Sequence, residues 1–163
     1  NLAAIWDLPL LLVIENNQYA VTTPIDQSSR VADLHERGRG YGVEGSKIDG
    51  NDVVAVYERA AEDRERCLRG EGPILIEAIT FRHAGHHVND PGTYMPQDKL
   101  EYYKSRDPLL LCRQHISAAG AVDGVTDAIE AEVETGIEAA IEFARASPEP
   151  SVDDFVSSLE AGP

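Results

Sequence analysis

Three short runs of aliphatic residues constrain the fold of this chain more than any other feature. They lie at 10–14, 43–48 and 74–80, and the second run is the weakest. In the first and third runs, apolar and polar residues do not alternate strictly. This is typical of strands buried on both faces of a parallel sheet. Between 52 and 69 apolar residues recur at helical spacing, with Asn51 or Asp52 as a cap and Gly70 as a terminator. This strand–helix–strand order predicts an α/β fold with a mostly parallel sheet.

The remaining pattern suggests how the chain is organised. We expect a strand and helix core over 1–81 and a long surface loop over 82–96, which contains three histidines and two prolines. Helices are predicted at 97–104, 108–118 and 125–146, so 97–163 forms a helical C-terminal region, and the apolar stripe of its longest helix should pack against another surface. At 163 residues we expect a single domain. Its first residues resemble the end of a helix, so we expect a truncated domain.

Composition narrows the functional class. The net charge is -15, with 14 basic and 29 acidic side chains, which makes the chain a poor partner for nucleic acid. The longest apolar run, 8–14, is far shorter than the roughly 20 residues of a membrane span. From residue 116 onward there are 11 acidic residues and one basic residue. That region is interpreted as a solvated face, a docking surface for a basic partner, or an adaptation to salt.

The two cysteines indicate a reducing compartment. Cys67 and Cys112 lie far apart in apolar helical stretches, with no metal-ligand spacing around them. Free cysteines in such positions are usually small buried apolar residues. We therefore expect no disulfide bond and a cytoplasmic location.

An asparagine pair follows the first predicted strand. Asn16 and Asn17 are placed where ligands bind in open α/β sheets, outside the carboxyl ends of the strands. An amide oxygen is a hard, neutral ligand that suits magnesium when a phosphate is also bound. The alternative is that the two asparagines merely tolerate the left-handed conformation of a turn.

The segment 82–92 is a second candidate site. It contains His83, His86, His87 and Asp90, which could form a zinc site, supply an acid or base that titrates near neutrality, or have no chemical role. The helical H-x-x-x-H zinc arrangement is absent. A third, glycine-rich segment at 38–42 precedes a strand and does not open a helix, so it is interpreted as a helix end followed by a turn.

Taken together, these residues resemble a known family. The ordered series is similar to the alpha subunit of thiamine-diphosphate-dependent 2-oxo acid dehydrogenases, which act on pyruvate, branched-chain 2-oxo acids or acetoin. The similarity runs from residue 1 to about 159. The matching segments are 13–20, 40–42, 49–52, 70–73, 82–92 and 106–108. The resemblance implies the C-terminal part of a thiamine-diphosphate-binding fold.

The resemblance also implies roles for particular residues. Asn17 would offer its side-chain oxygen to magnesium, and Tyr19 its backbone carbonyl. His86 would lie beside thiamine diphosphate and assist acyl transfer to a lipoyl group, and Arg82 would hold the loop. The Gly-Asp-Gly half of the family's cofactor motif is absent, so we expect this chain alone to bind the cofactor poorly and to be inactive.

The resemblance further implies an oxidoreductase that acts on an oxo group with a lipoyl disulfide as acceptor. Its partners would be a beta subunit, in an alpha2-beta2 heterotetramer, a lipoyl-bearing acyltransferase and a small 2-oxo acid. The alternatives are an acetoin dehydrogenase alpha subunit, a transketolase-like enzyme, and a non-catalytic subunit that retains the fold.

Overall fold

The computed structural model describes residues 1–122 and 124–160. They fall into two compact units, a first that ends at Gly120 and a second that begins at Ala121. The first unit is an α/β structure and the second is helical. No helix among the described residues is both long and apolar enough to cross a membrane.

A parallel sheet forms the centre of the first unit. Its strands are β1 (Leu11–Asn16), β4 (Glu44–Asp49) and β5 (Ile74–Ile79), in the order β1-β5-β4. Both outer strands run parallel to β5, with Asn16 and Asp49 each in register with Ile79. The predicted mostly parallel α/β fold is therefore confirmed. A small antiparallel hairpin, β2 (Tyr19–Ala20) and β3 (Thr23–Pro24), follows β1.

The two outer positions of the sheet differ from the central one in burial. In β5 the first five residues are buried, and Ile76 is 2% exposed. In β1, by contrast, Leu12 is 40% and Val13 58% exposed. The expectation that the first strand is buried on both faces is wrong for the described residues. In the sheet of the described residues, β5 has a strand on each side and β1 pairs only with β5.

The crossover helix between β4 and β5 forms as its sequence predicts. Helix α3 spans Val53–Arg66, and the Asp52 carboxylate accepts hydrogen bonds from the N–H groups of Val54 at 3.0 Å and Ala55 at 3.2 Å. A tight turn over Cys67–Glu71 follows, with Gly70 in the left-handed conformation at φ 84°. Cys67 is buried and Cys112 is half-buried, and neither forms a disulfide bond.

The first unit contains five other helices. They are α1 (Leu2–Ile5), α2 (Ile25–Ser28), a 3₁₀ helix (Leu34–Tyr41), α4 (Gln97–Lys104) and α5 (Pro108–Ala118). Of these, α4 and α5 lie at their predicted positions, and α2 was not predicted. The 3₁₀ helix ends at Gly42, which has a left-handed φ of 72°. This confirms that segment 38–42 is a helix end with a turn.

The second unit contains α6 (Val125–Ala146) and α7 (Val152–Glu160). The apolar stripe of α6 is exposed in this chain, and its packing against another surface stays a prediction. Its members are 40–58% exposed: Val125, Ile129, Val133, Ile137 and Ile141.

Candidate functional site

The carboxyl edge of the sheet brings the asparagine turn and the histidine segment together. The Thr80 N–H donates to the Asn16 carbonyl at 2.9 Å, and the Arg82 N–H donates to the Asn17 carbonyl at 3.4 Å. The side-chain Nε2 atom of Gln18 donates to the Thr80 carbonyl at 2.8 Å. Because β1 and β5 are parallel neighbours, segments some 60 residues apart in sequence leave the sheet side by side.

The asparagine pair forms a turn held by its own side chains. The Asn16 Oδ1 atom accepts the Gln18 N–H at 3.0 Å, and the Asn17 Oδ1 atom accepts the Tyr19 N–H at 3.0 Å. The left-handed residue is Gln18, at φ 68°, and neither asparagine has a positive φ. An amide oxygen accepts two hydrogen bonds, so Asn17 Oδ1 keeps one lone pair for a ligand. The asparagines therefore form a turn, but neither adopts the left-handed conformation that the turn interpretation required.

A buried glutamate lies behind this turn. Glu77, in the centre of β5, is 0% exposed. Its Oε1 atom accepts the Asn16 side-chain amide at 2.7 Å, and its Oε2 atom accepts the His35 main-chain N–H at 3.0 Å. The His35 Nδ1 atom lies 2.9 Å from the same Oε2. Burial raises the pKa of Glu77, but these N–H groups outweigh it and hold the pKa below its ordinary 4.5.

Sequence reasoning missed Glu77. The available signal was a single charged residue inside the apolar run 74–79. A charge in a buried strand must be paired or hydrogen-bonded, so its presence there already implied a specific set of donors.

Potential metal-ligand atoms come together at a different place from the predicted zinc site at 82–92. Among residues 1–122 and 124–160, one group of potential ligand atoms converges within 4.8 Å, and it consists of Asp33, His35 and Glu77. The Lys47 ammonium lies 2.6 Å from Asp33 Oδ1, so the Asp33 carboxylate is already paired with a cation. The three histidines of the 82–96 segment do not converge in this way among the described residues, which does not favour the zinc interpretation.

The histidine loop, residues 82–96, is organised around Asp90. The Asp90 carboxylate accepts the N–H of His86 at 2.7 Å, the N–H of Gly92 at 2.9 Å and the hydroxyl of Tyr94 at 2.8 Å. These donors, the His86 N–H first, lower the pKa of Asp90 to about 2. Gly85 passes so close that an added Cβ atom would lie 2.0 Å from the Asp90 carbonyl oxygen. The backbone that carries His86 is thus fixed on both sides.

The three histidine side chains have separate surroundings. His86 is exposed, and its ring centroid lies 6.4 Å from that of His87. The His87 Nδ1 atom accepts the Asn89 N–H at 3.2 Å, and His83 Nδ1 lies 3.8 Å from an Asp107 carboxylate oxygen. Because His86 is exposed, its imidazole is accessible to a substrate.

Aromatic and cationic contacts join the turn to the histidine loop. The Arg82 guanidinium lies 5.7 Å above the Tyr19 ring and donates to the Tyr94 hydroxyl at 2.7 Å and to the Ala84 carbonyl at 3.1 Å. The Tyr19 ring also contacts the rings of Phe81 and Tyr94, each at a centroid distance of 5.7 Å. Arg82 therefore contacts both the turn and the histidine loop, as its expected supporting role requires.

These features define an α/β protein whose candidate ligand site lies at the carboxyl edge of a parallel sheet. The chain belongs to the dehydrogenase E1 component family, whose model matches residues 1–153. This confirms the family resemblance that the sequence motifs indicate.

Several curated proteins are similar over nearly the whole chain. The pyruvate dehydrogenase E1 component subunit alpha of Rhizobium meliloti is 34% identical over 98% of this chain and 46% of its own length. The corresponding subunit of Porphyra purpurea is 36% identical over 99% of this chain and 47% of its own length. A chloroplastic subunit alpha-3 of Oryza sativa is 34% identical over 100% of this chain and 39% of its own length. This chain therefore spans about half of these relatives or less.

Proposed function

We propose that this chain is part of the alpha subunit of a thiamine-diphosphate-dependent 2-oxo acid dehydrogenase. The reaction is oxidative decarboxylation of a 2-oxo acid such as pyruvate, followed by acyl transfer to a lipoyl group. One observation carries the proposal: in a chain of this family, the Asn17 turn and the His86 loop lie side by side at the carboxyl edge of the sheet. The pyruvate dehydrogenase names of the similar proteins support this substrate class.

The donor set of the turn fits a magnesium diphosphate. The Asn17 Oδ1 atom has a free lone pair, and the Tyr19 carbonyl supplies a second hard oxygen. These two residues would hold the magnesium ion, and the bound phosphate oxygens would supply negative charge. When bound, thiamine diphosphate supplies an electron sink for decarboxylation.

His86 is proposed as the proton carrier for acyl transfer. Transfer to a disulfide produces a thiolate, and an imidazole can protonate that sulfur at neutral pH. The Asp90 carboxylate fixes the His86 backbone, while the exposed ring remains accessible to a lipoyl arm. We further propose a beta subunit in an alpha2-beta2 assembly and a lipoyl-bearing acyltransferase as partners. The two free cysteines suit a reducing cytoplasm.

Substitution of the histidines in the assembled enzyme tests the catalytic assignment. His86→Ala should reduce reductive acylation of a lipoyl domain by about 10²–10⁴-fold, the usual effect of removing a positioned acid or base. Decarboxylation measured with an artificial electron acceptor should fall much less, because electron removal delivers no proton to sulfur. His83→Ala and His87→Ala are matched controls with small expected effects. Equal losses at all three positions would reject the assignment of His86.

The magnesium assignment has its own test. Asn17→Ala should weaken retention of thiamine diphosphate and magnesium, with activity restored when both are added in excess, since water can partly replace one ligand oxygen. Asn89→Ala, in the neighbouring loop, is the matched control. Lost activity at undiminished cofactor affinity would contradict the role of Asn17.

A further inference from the structure

We infer that Glu77 is a positioning residue for the magnesium turn, because its carboxylate fixes the orientation of the Asn16 side-chain amide. This inference rests on the proposed function, in which Asn17 and Tyr19 bind magnesium. Glu77 would not touch the metal or the cofactor itself. It acts through a chain of hydrogen bonds that begins at His35 and ends at the Gln18 backbone.

The first step is the fixed polarity of the Glu77 site. On one side the carboxylate meets the main-chain N–H of His35 at 3.0 Å, which can only donate. On the other side it meets the Asn16 Nδ2 atom at 2.7 Å. An ionised carboxylate accepts from both sides at once, and no neutral side chain of the same shape does so.

The second step transmits that polarity to the turn. Because Nδ2 of Asn16 faces Glu77, its Oδ1 faces the Gln18 N–H, which it accepts at 3.0 Å. A non-glycine residue with positive φ needs local support, and Gln18 has a φ of 68°. This hydrogen bond supplies support on the main-chain side, and the Gln18 side chain is held by the Thr80 carbonyl at 2.8 Å and the Tyr103 hydroxyl at 2.7 Å.

The third step concerns Asn17, which lies between the two residues that this network fixes. Its Oδ1 atom is aligned by the Tyr19 N–H at 3.0 Å, so its direction depends on the path of the backbone from Asn16 to Tyr19. Groups that orient a metal ligand commonly change metal affinity by about 10–100-fold when they are removed. The buried carboxylate is therefore assigned to the alignment of the magnesium ligands.

Glu77→Gln is the discriminating variant because it preserves shape and reverses one polarity. The new side-chain oxygen must face the His35 N–H, so the new NH₂ group faces Asn16. The Asn16 amide then rotates to present its oxygen, and its NH₂ turns toward the Gln18 N–H, a donor against a donor. We expect magnesium affinity in the presence of thiamine diphosphate to fall by about 10–100-fold, and amide exchange at Gln18 to accelerate.

A second substitution should repair the defect. In the double variant Asn16→Asp with Glu77→Gln, the new carboxylate accepts both from the new amide and from the Gln18 N–H. The net charge of the pair is unchanged, and every hydrogen bond of the chain is regained. Asn16→Asp alone places two carboxylates against each other and should be damaging. Asn89→Ala, in the histidine loop and outside this network, is the control and should leave magnesium affinity unchanged.

The experiment uses the assembled enzyme with the full-length subunit, titrated with magnesium by calorimetry, with hydrogen exchange at Gln18 as the second measurement. Weakened binding in Glu77→Gln and its recovery in the double variant support the inference. Lower thermal stability with unchanged magnesium affinity, an equal loss in Asn89→Ala, or no recovery in the double variant overturns it. Should Glu77→Gln fail to assemble, recovery of assembly and affinity in the double variant decides the question in the same way.

The parent proposal is tested separately in the same titration. If Asn17→Ala binds magnesium as the parent does, the proposed metal site is itself wrong and this inference falls with it. If Asn17→Ala weakens binding and Glu77→Gln does not, the metal site stands and only the role of Glu77 is rejected.

Discussion

Gly85→Ala should disable acyl transfer without removing any side chain that takes part in it. A Cβ atom at this position would lie 2.0 Å from the Asp90 carbonyl oxygen and 2.7 Å from the Asp90 Cβ atom. Other heavy atoms essentially never lie closer than 3.0 Å to a Cβ atom. One of the two loop segments that meet here must therefore move by at least 1.0 Å. The neighbouring residue is His86, whose N–H is bound by the Asp90 carboxylate. A misplacement of about 1 Å at a reacting group can cost about 10²-fold in rate.

The assay is reductive acylation of a lipoyl domain by the assembled enzyme, compared with decarboxylation measured through an artificial electron acceptor. We expect the first rate to fall by about 10²-fold and the second much less, since only the first requires the positioned histidine. Gly40→Ala is the matched control, because a Cβ atom there meets nothing within 4 Å and the φ of Gly40 is not positive. Amide exchange at His86 and Gly92 would report the displaced loop directly.

One result would refute this reasoning. If Gly85→Ala transfers acyl groups at the parent rate while exchange at His86 shows that the loop has moved, the position of His86 does not control the step. Parent-like exchange together with parent-like transfer would instead show that the loop accommodates the methyl group, contrary to the 2.0 Å approach.

Three further predictions concern stability and pH. Asp52→Ala removes the cap of α3 and should lower the free energy of unfolding by about 1 kcal/mol in urea titration. Ile76→Ala should cost about 2–5 kcal/mol, whereas Val13→Ala, at the paired position on the exposed edge strand, should cost far less; equal losses would contradict the burial difference. Because the folded pKa of Asp90 is lowered to about 2 from 3.8, its support of the histidine loop is complete above about pH 4 and is lost as the pH falls through about 2. NMR of the Gly92 amide would follow that loss. In Asp90→Asn the pH dependence of this signal should be absent.

The sequence by itself determined the local elements of this protein. Helix α3 depends on the spacing of its apolar residues, the Asp52 cap and the left-handed Gly70, all of which act within a few residues. The turn at Gly42 and the irregular histidine loop are local in the same sense. The ordered motifs also identified the family, because each motif is a short contiguous string.

Tertiary structure alone decided what the sheet buries and what its carboxyl edge assembles. The apolar run of β1 suggests a strand buried on both faces, yet in the described residues Val13 is exposed while its paired residue Ile76 is buried. Glu77 meets Asn16 across 61 residues of sequence, and no local pattern encodes that pairing. Hydrogen bonds between distant segments depend on strand order and register, and these are fixed only when the whole sheet forms.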